Sequence, residues 1–195
     1  MNLPKAVIRE HEYVVVESKE EANNVASAVL NWLNEEVSSI HGEGTEFIGV
    51  AMEWNAFGSD SSSQSLQVSF RDHPTYFFNL SKMEVKKPDD FPGPLRELLS
   101  DIRLRSCGRN IGMDLARLSD LGVNVKHRLE LGQLGQLLKP GEASGLADLA
   151  RIHLGVFVDK SLRLDDWSQY PTPVPMIVYA CLDAKLSRVL AGVMF

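Results

Sequence analysis

Three carboxylates stand where regular secondary structure could bring them together. Glu53 ends the most apolar segment of the chain, Phe47-Ile48-Gly49-Val50-Ala51-Met52. Asp114 lies one turn into an expected helix, and Asp183 follows Tyr179 by four residues, so those two side chains share one helical face. Carboxylates at a strand end and on two helix faces can converge on hard cations such as Mg²⁺ or Mn²⁺. Two such ions can hold and polarise the oxygens of an in-line phosphoryl displacement. Taken singly, each residue has a plainer reading: a solvated strand end for Glu53, a first-turn acid favoured by the helix dipole for Asp114, and a surface residue for Asp183.

The elements that must position these groups belong to a chain of 195 residues, 44% hydrophobic and 24% charged, a globular composition with enough length for one sizeable core. Disordered, collagen-like and disulfide-scaffold classes are excluded. Cys107 and Cys181 are too few for a thiolate zinc site and read as reduced thiols. No apolar run reaches the roughly 18 residues that span a bilayer, and the N-terminus shows no signal-peptide pattern. The expectation is an intracellular protein, nuclear or cytoplasmic, with no membrane partner. Net charge is −6, yet eleven acids and three bases fall in residues 1–60. Residues 103–128 carry Arg103, Arg105, Arg109, Arg117, Lys126 and Arg128 against Asp114 and Asp120 alone. Such a window reads either as a solvated surface or as a face for a phosphate backbone.

Tyr13-Val14-Val15-Val16 reads as a strand, and Ser18-Lys19-Glu20-Glu21 as a capping box opening a helix whose apolar face carries Ala22, Val25, Ala26, Val29, Trp32, Leu33 and Val37, ended by His41-Gly42-Glu43-Gly44. Residues 47–52 look like a strand buried on both faces. A Ser-rich loop from Ser59 to Ser65 precedes a strand in which Leu66, Val68 and Phe70 alternate with polar residues, and Tyr76-Phe77-Phe78 forms another after a turn at His73-Pro74. These three strands suggest an antiparallel meander. Beyond a polar, Pro-rich loop, Pro94 starts a helix carrying Leu95, Leu98, Leu99 and Ile102. Asn110 is the expected cap of a helix running to Leu121 with Gly122 as its stop. A strand over Val123–Leu131, short helices over Leu134–Leu138 and Leu146–Leu154, and a last helix from about Val174 complete the order. No repeat or linker divides residues 1–195, so one α/β domain with a mixed sheet is expected.

Three segments, Gly49-Val50-Ala51-Met52-Glu53-Trp54, Asn110-Ile111-Gly112-Met113-Asp114-Leu115 and Tyr179-Ala180-Cys181-Leu182-Asp183-Ala184, resemble the three motifs of the DEDDy 3′–5′ exonucleases, the group that includes ribonuclease D and the Werner-syndrome helicase exonuclease domain. Gln67 stands where that family has a glutamine on its second strand. Gly145-Leu146-Ala147-Asp148-Leu149 and the stretch from Lys160-Ser161 to Trp167-Ser168 resemble the segment before the third motif. The resemblance runs from about Tyr13 to the C-terminus. It implies a ribonuclease H-like (DnaQ-like exonuclease) fold, a mixed sheet flanked by helices with three antiparallel strands followed by parallel ones. It also implies a two-metal 3′–5′ exonuclease acting on DNA or RNA 3′ ends. Glu53 and Asp183 would bind the Mg²⁺ or Mn²⁺ that activates the attacking water, Asp114 would help hold a second ion, and Tyr179 would orient the water.

One departure is chemical rather than conservative. The family's first motif reads Asp-x-Glu, whereas this chain reads Ala51-Met52-Glu53. Ala51 occupies the position of the ligand that bridges both ions, and a methyl group supplies neither ligand nor charge. Metal binding is expected to be weakened or absent and turnover impaired. Two explanations stay open: a pseudo-exonuclease that binds nucleic acid or serves as a scaffold for a protein partner, or an enzyme disabled by an introduced alanine. Trp54 and Phe57 could stack on a terminal base, and Asn110 is assigned with them to nucleic-acid contact. Packing at the rim is the plainer reading of the two aromatics.

Overall fold

The computed structural model describes residues 12–36, 46–55, 62–142 and 144–195. Val37, the 41–44 segment, Phe57 and the start of the Ser-rich loop lie outside them. Six strands form one sheet: β1 (Tyr13–Val16), β2 (Glu46–Trp54), β3 (Ser63–Ser69), β4 (Thr75–Asn79), β5 (Leu104–Gly108) and β6 (His127–Glu130), in the spatial order β1-β4-β3-β2-β5-β6. The β2-β3-β4 pairs are antiparallel, as the short connections suggested, and β1, β5 and β6 add in parallel to their neighbours.

Strand alternation splits the core into two layers. Ile48, Val50 and Met52 of β2, Leu66 and Val68 of β3, and Tyr76 and Phe78 of β4 face α1 (Lys19–Glu36), α2 (Gly93–Leu99) and α3 (Ile111–Asp120). The opposite face packs under α4 (Leu131–Leu138), α5 (Leu146–Leu154) and α6 (Val174–Met194), through Cys107 of β5 and Phe77 of β4. Because helices cover both faces, Gln67 and Ser69 of β3 are buried along with its apolar residues, and the strand is not the half-solvated one its alternation suggested. Cys107 and Cys181 are free and buried. Among the described residues no helix is long and apolar enough to cross a membrane.

Local signals hold at several ends. Glu21 accepts from the backbone N–H groups of Glu17 and Ser18 (3.0 and 3.1 Å), while Ser18 Oγ accepts from the Glu21 N–H (3.1 Å), which closes the capping box. Gly122 (φ +78°) stops α3 and Gly155 (φ +68°) stops α5, both in the left-handed region that favours glycine. Other boundaries move. Ile102 lies past the end of α2 and is exposed, so it is not part of that helix's apolar face. The stretch from 123 to 126 is not strand: Val123 is buried in the core while β6 runs only from His127 to Glu130. α4 starts at Leu131 rather than Leu134, because the Glu130 carboxylate accepts from the Gly132 N–H. β5 has no counterpart in the sequence-based order.

A close backbone approach joins β2 to α6. A β-carbon built on Gly49 would lie 1.7 Å from the Ala184 carbonyl oxygen and 2.9 Å from the Arg188 backbone nitrogen. Only a residue without a side chain lets the helix cross the strand this closely. Gly49→Ala must therefore push α6 off the sheet. The expected cost is about 2 kcal/mol or more, read as a lowered urea midpoint; an unchanged midpoint would show that the helix can retreat freely.

Candidate active site

Crossing β2 at Gly49 lays α6 along the strand face that carries Ala51 and Glu53. Tyr179, Asp183 and Ser187 follow at four-residue intervals and face one pocket of ≈ 420 Å³ together with Ala51, Glu53, Trp54, Asn110 and Asp114. Met113, Arg109, Lys160 and the Gly145-Leu146-Ala147 start of α5 complete the wall. Ala51 pairs across the strand with Gln67, and a register shift between Glu53 and Trp54 twists the end of β2 at the pocket edge.

α3 delivers Asp114 from the other side. The residue expected to cap it, Asn110, stands at the helix start with φ +60° but makes no side-chain capping bond. Its Oδ1 instead accepts from Arg109. The cap comes from twenty residues away: Glu130 accepts from the backbone N–H groups of Asn110 and Ile111, 3.0 Å each, and from Gly132 at the start of α4. One carboxylate thus closes two helix N-termini, with Arg109 3.7 Å from it.

The charged side chains around the pocket are held by specific neighbours. Asp114 accepts a hydrogen bond from the Met52 N–H, yet burial pushes its carboxyl up to about 8, with the charges of Asp183 and Glu130 adding to the rise. Lys160 Nζ stands 2.5 and 2.6 Å from the two oxygens of Asp183 and 4.9 Å from the Tyr179 ring centroid. Tyr179 also packs against Trp167, ring centroids 6.1 Å apart. The Trp167 backbone N–H donates to Asn55 Oδ1 (2.8 Å), tying this connection to the end of β2. At the lip, the Arg117 guanidinium lies 4.1 Å from the Trp54 ring centroid and covers one face of it.

The basic window divides among different partners. Arg103 binds Asp101 and Asn34, Arg105 lies over Phe47 and Phe195, Arg117 covers Trp54, and Arg109 lines the pocket. The motif residues were legible in the sequence, whereas the pairings of Lys160 and Glu130 were not. Lys160 sits in a segment whose resemblance was noted. Glu130 ends β6 and reaches the residues that follow its parallel neighbour β5, a pairing twenty residues apart in sequence.

Residues 13–192 match the family model described as 3′-5′ exonuclease. The chain belongs to the 3′-5′ exonuclease family. It is 29% identical over 167 residues to the Mus musculus bifunctional 3′-5′ exonuclease/ATP-dependent helicase WRN, an alignment covering 82% of this chain and 12% of that protein. It therefore spans about an eighth of that relative's length. Among solved structures, the catalytic core of RRP6 from Trypanosoma brucei superposes with a TM-score of 0.76 at 17% identity, covering 100% of this chain and 49% of that one. The Trypanosoma brucei RNase D complex with RNA U12 gives 0.75 at 18% identity, covering 95% and 63%. At these identities the two structures establish the ribonuclease H-like fold.

The exonuclease fold implies divalent metal, and the residues present do not fit a metal pair. Among the described residues no three His, Cys, Asp or Glu side chains are grouped to hold an ion. Position 51 offers a methyl group, both oxygens of Asp183 lie against an ammonium, and burial pushes the Asp114 carboxyl up to about 8.

The raised carboxyl of Asp114 makes a signed prediction. Between about pH 4 and about 8 the native state keeps a proton that the unfolded chain has released, so stability falls as pH rises through that window and levels off above it. In chelator, the unaltered chain should lose up to about 1.4 kcal/mol per pH unit from this group. Asp114→Asn should show a flatter profile in urea denaturation; parallel profiles would contradict the burial assigned to Asp114.

Proposed function

We propose that this chain receives the 3′ end of a DNA or RNA strand in the pocket between β2, α3 and α6, and that Ala51 impairs its cleavage there. The observation that carries the reading is the meeting of Glu53, Asp114, Tyr179 and Asp183, drawn from one strand and two helices, in that one pocket with Ala51 beside them. A volume of ≈ 420 Å³ suits a nucleotide-sized ligand. Trp54 and Met113 offer apolar surface for a terminal base, while Asn110 and Arg109 offer donors to sugar and phosphate oxygens. Tyr179, packed against Trp167 and Lys160, is suited to orienting a water at the last phosphodiester. Cleavage would add that water to phosphorus and break the bond to the 3′ oxygen, releasing a nucleoside monophosphate. The trypanosomal RNase D in complex with RNA U12 supports a nucleic-acid ligand for this pocket.

The Lys160–Asp183 pair favours a second reading, in which the chain holds nucleic-acid ends, or a protein partner, without cutting. One substitution separates the two. Under the first reading, Ala51→Asp, shown to be folded by circular dichroism, shortens a 5′-labelled oligonucleotide in added Mg²⁺ or Mn²⁺ by roughly 100-fold or more over the unaltered chain. If that variant cuts neither single-stranded nor duplex DNA or RNA, the enzyme reading falls. The binding reading then predicts chelator-resistant oligonucleotide affinity that drops steeply with salt.

A further inference from the structure

Lys160 reaches the pocket from the connection between α5 and α6. Its ammonium stands 2.5 and 2.6 Å from the oxygens of Asp183 and against the ring of Tyr179, with side-chain exposures of 29% for the lysine and 17% for the aspartate. A lysine ammonium is a compact point charge with three donors. Here it is shielded from water on one side by an aromatic face, which strengthens its hold on the carboxylate. A divalent ion bound through oxygen sits about 2.0–2.6 Å from its ligands, so one on Asp183 would meet the Lys160 charge at close range. An aspartate at position 51 would compensate part of that added charge, and Ala51 does not.

We propose that Lys160 is a tethered counter-cation: it neutralises Asp183 within the folded chain and excludes divalent metal from that carboxylate. The inference goes beyond the nucleic-acid reading, since it concerns which cation Asp183 holds and stands whether or not a strand enters the pocket. Because the cation is covalently attached, chelators do not remove it and dilution does not weaken it. Removing the ammonium takes the lysine's charge away from a partly buried carboxylate, and a soluble cation can then take the vacated position.

The test is Mn²⁺ titration of chelator-stripped protein, read by the electron paramagnetic resonance of free Mn²⁺, alongside thermal melts with and without Mn²⁺. The unaltered chain should show no Mn²⁺ binding that depends on Asp183, and no Mn²⁺-dependent rise in melting temperature. Lys160→Met should melt lower than the unaltered chain in chelator, regain stability in Mn²⁺, and bind Mn²⁺ at least about ten-fold more tightly. Lys160→Arg, which keeps the charge, should remain refractory. Saturable Mn²⁺ binding by the unaltered chain that is lost in Asp183→Asn overturns the proposal, as does a folded Lys160→Met that gains neither affinity nor Mn²⁺-dependent stability. If Lys160→Met does not fold, Lys160→Gln is read in its place with the same two outcomes. Oligonucleotide affinity measured on the same samples separates this outcome from failure of the nucleic-acid reading.

Discussion

At the crossing of Gly49 and Ala184, the backbone of a strand and the backbone of a helix meet with no side chain between them. The groups that α6 brings to the pocket depend on that approach. It fixes the depth of α6 against β2, and with it the height at which Tyr179 and Asp183 stand over Ala51 and Glu53. The helix accepts such closeness because its inward positions are small: Ala180, Ala184 and Ala191 are completely buried. Larger residues on either side, Ile177 and Leu186 among them, then fill the space between α6 and its neighbours. A packing constraint and a chemical one thus coincide in a single segment, Gly49 to Glu53.

A second constraint governs the other wall. Glu130 closes the N-termini of α3 and α4 at once, so the start of the helix that carries Asp114 is held by a side chain from the end of β6 rather than by its own first residue. A carboxylate accepting several backbone N–H groups forms charge-assisted bonds and offsets the positive ends of two helices. The pocket between these walls is charged but internally matched: Lys160 on Asp183, Arg109 near Glu130, and the half-buried carboxyl of Asp114 pushed up to about 8. This matching accounts for how acidic residues can be gathered beside Ala51 without unbalanced repulsion.

The division between what the sequence discloses and what it conceals follows the range of the interactions. The capping box at Ser18, the apolar β2 and the Tyr179–Asp183 spacing are local patterns, readable within a few residues. β5 escaped because five residues that include Arg105 and Ser106 do not stand out from the surrounding loop, and its strand character comes from pairing with β2 and β6 on either side. Gln67 and Ser69 are polar by sequence and buried by tertiary structure, because α6 covers a face that alternation alone assigned to solvent. Asn110 was the natural cap by residue type, but its left-handed backbone and the reach of Glu130 gave that role to a distant carboxylate. The resemblance to exonucleases supplied the motif carboxylates. It could not supply the partner of Asp183, which exists only once the 155–173 connection folds back over the pocket.

The central claim is that this pocket takes the 3′ terminus of a nucleic-acid strand. It is tested most directly with two otherwise identical oligonucleotides bearing a photoactivatable base, one at the 3′ end and the other at the 5′ end. After irradiation, the cross-linked peptides are mapped by mass spectrometry. The account predicts cross-links from the 3′ label to peptides containing Trp54 or Met113, both of which line the pocket, and little from the 5′ label. Cross-links that fall outside the pocket, or that do not distinguish the two ends, would contradict it.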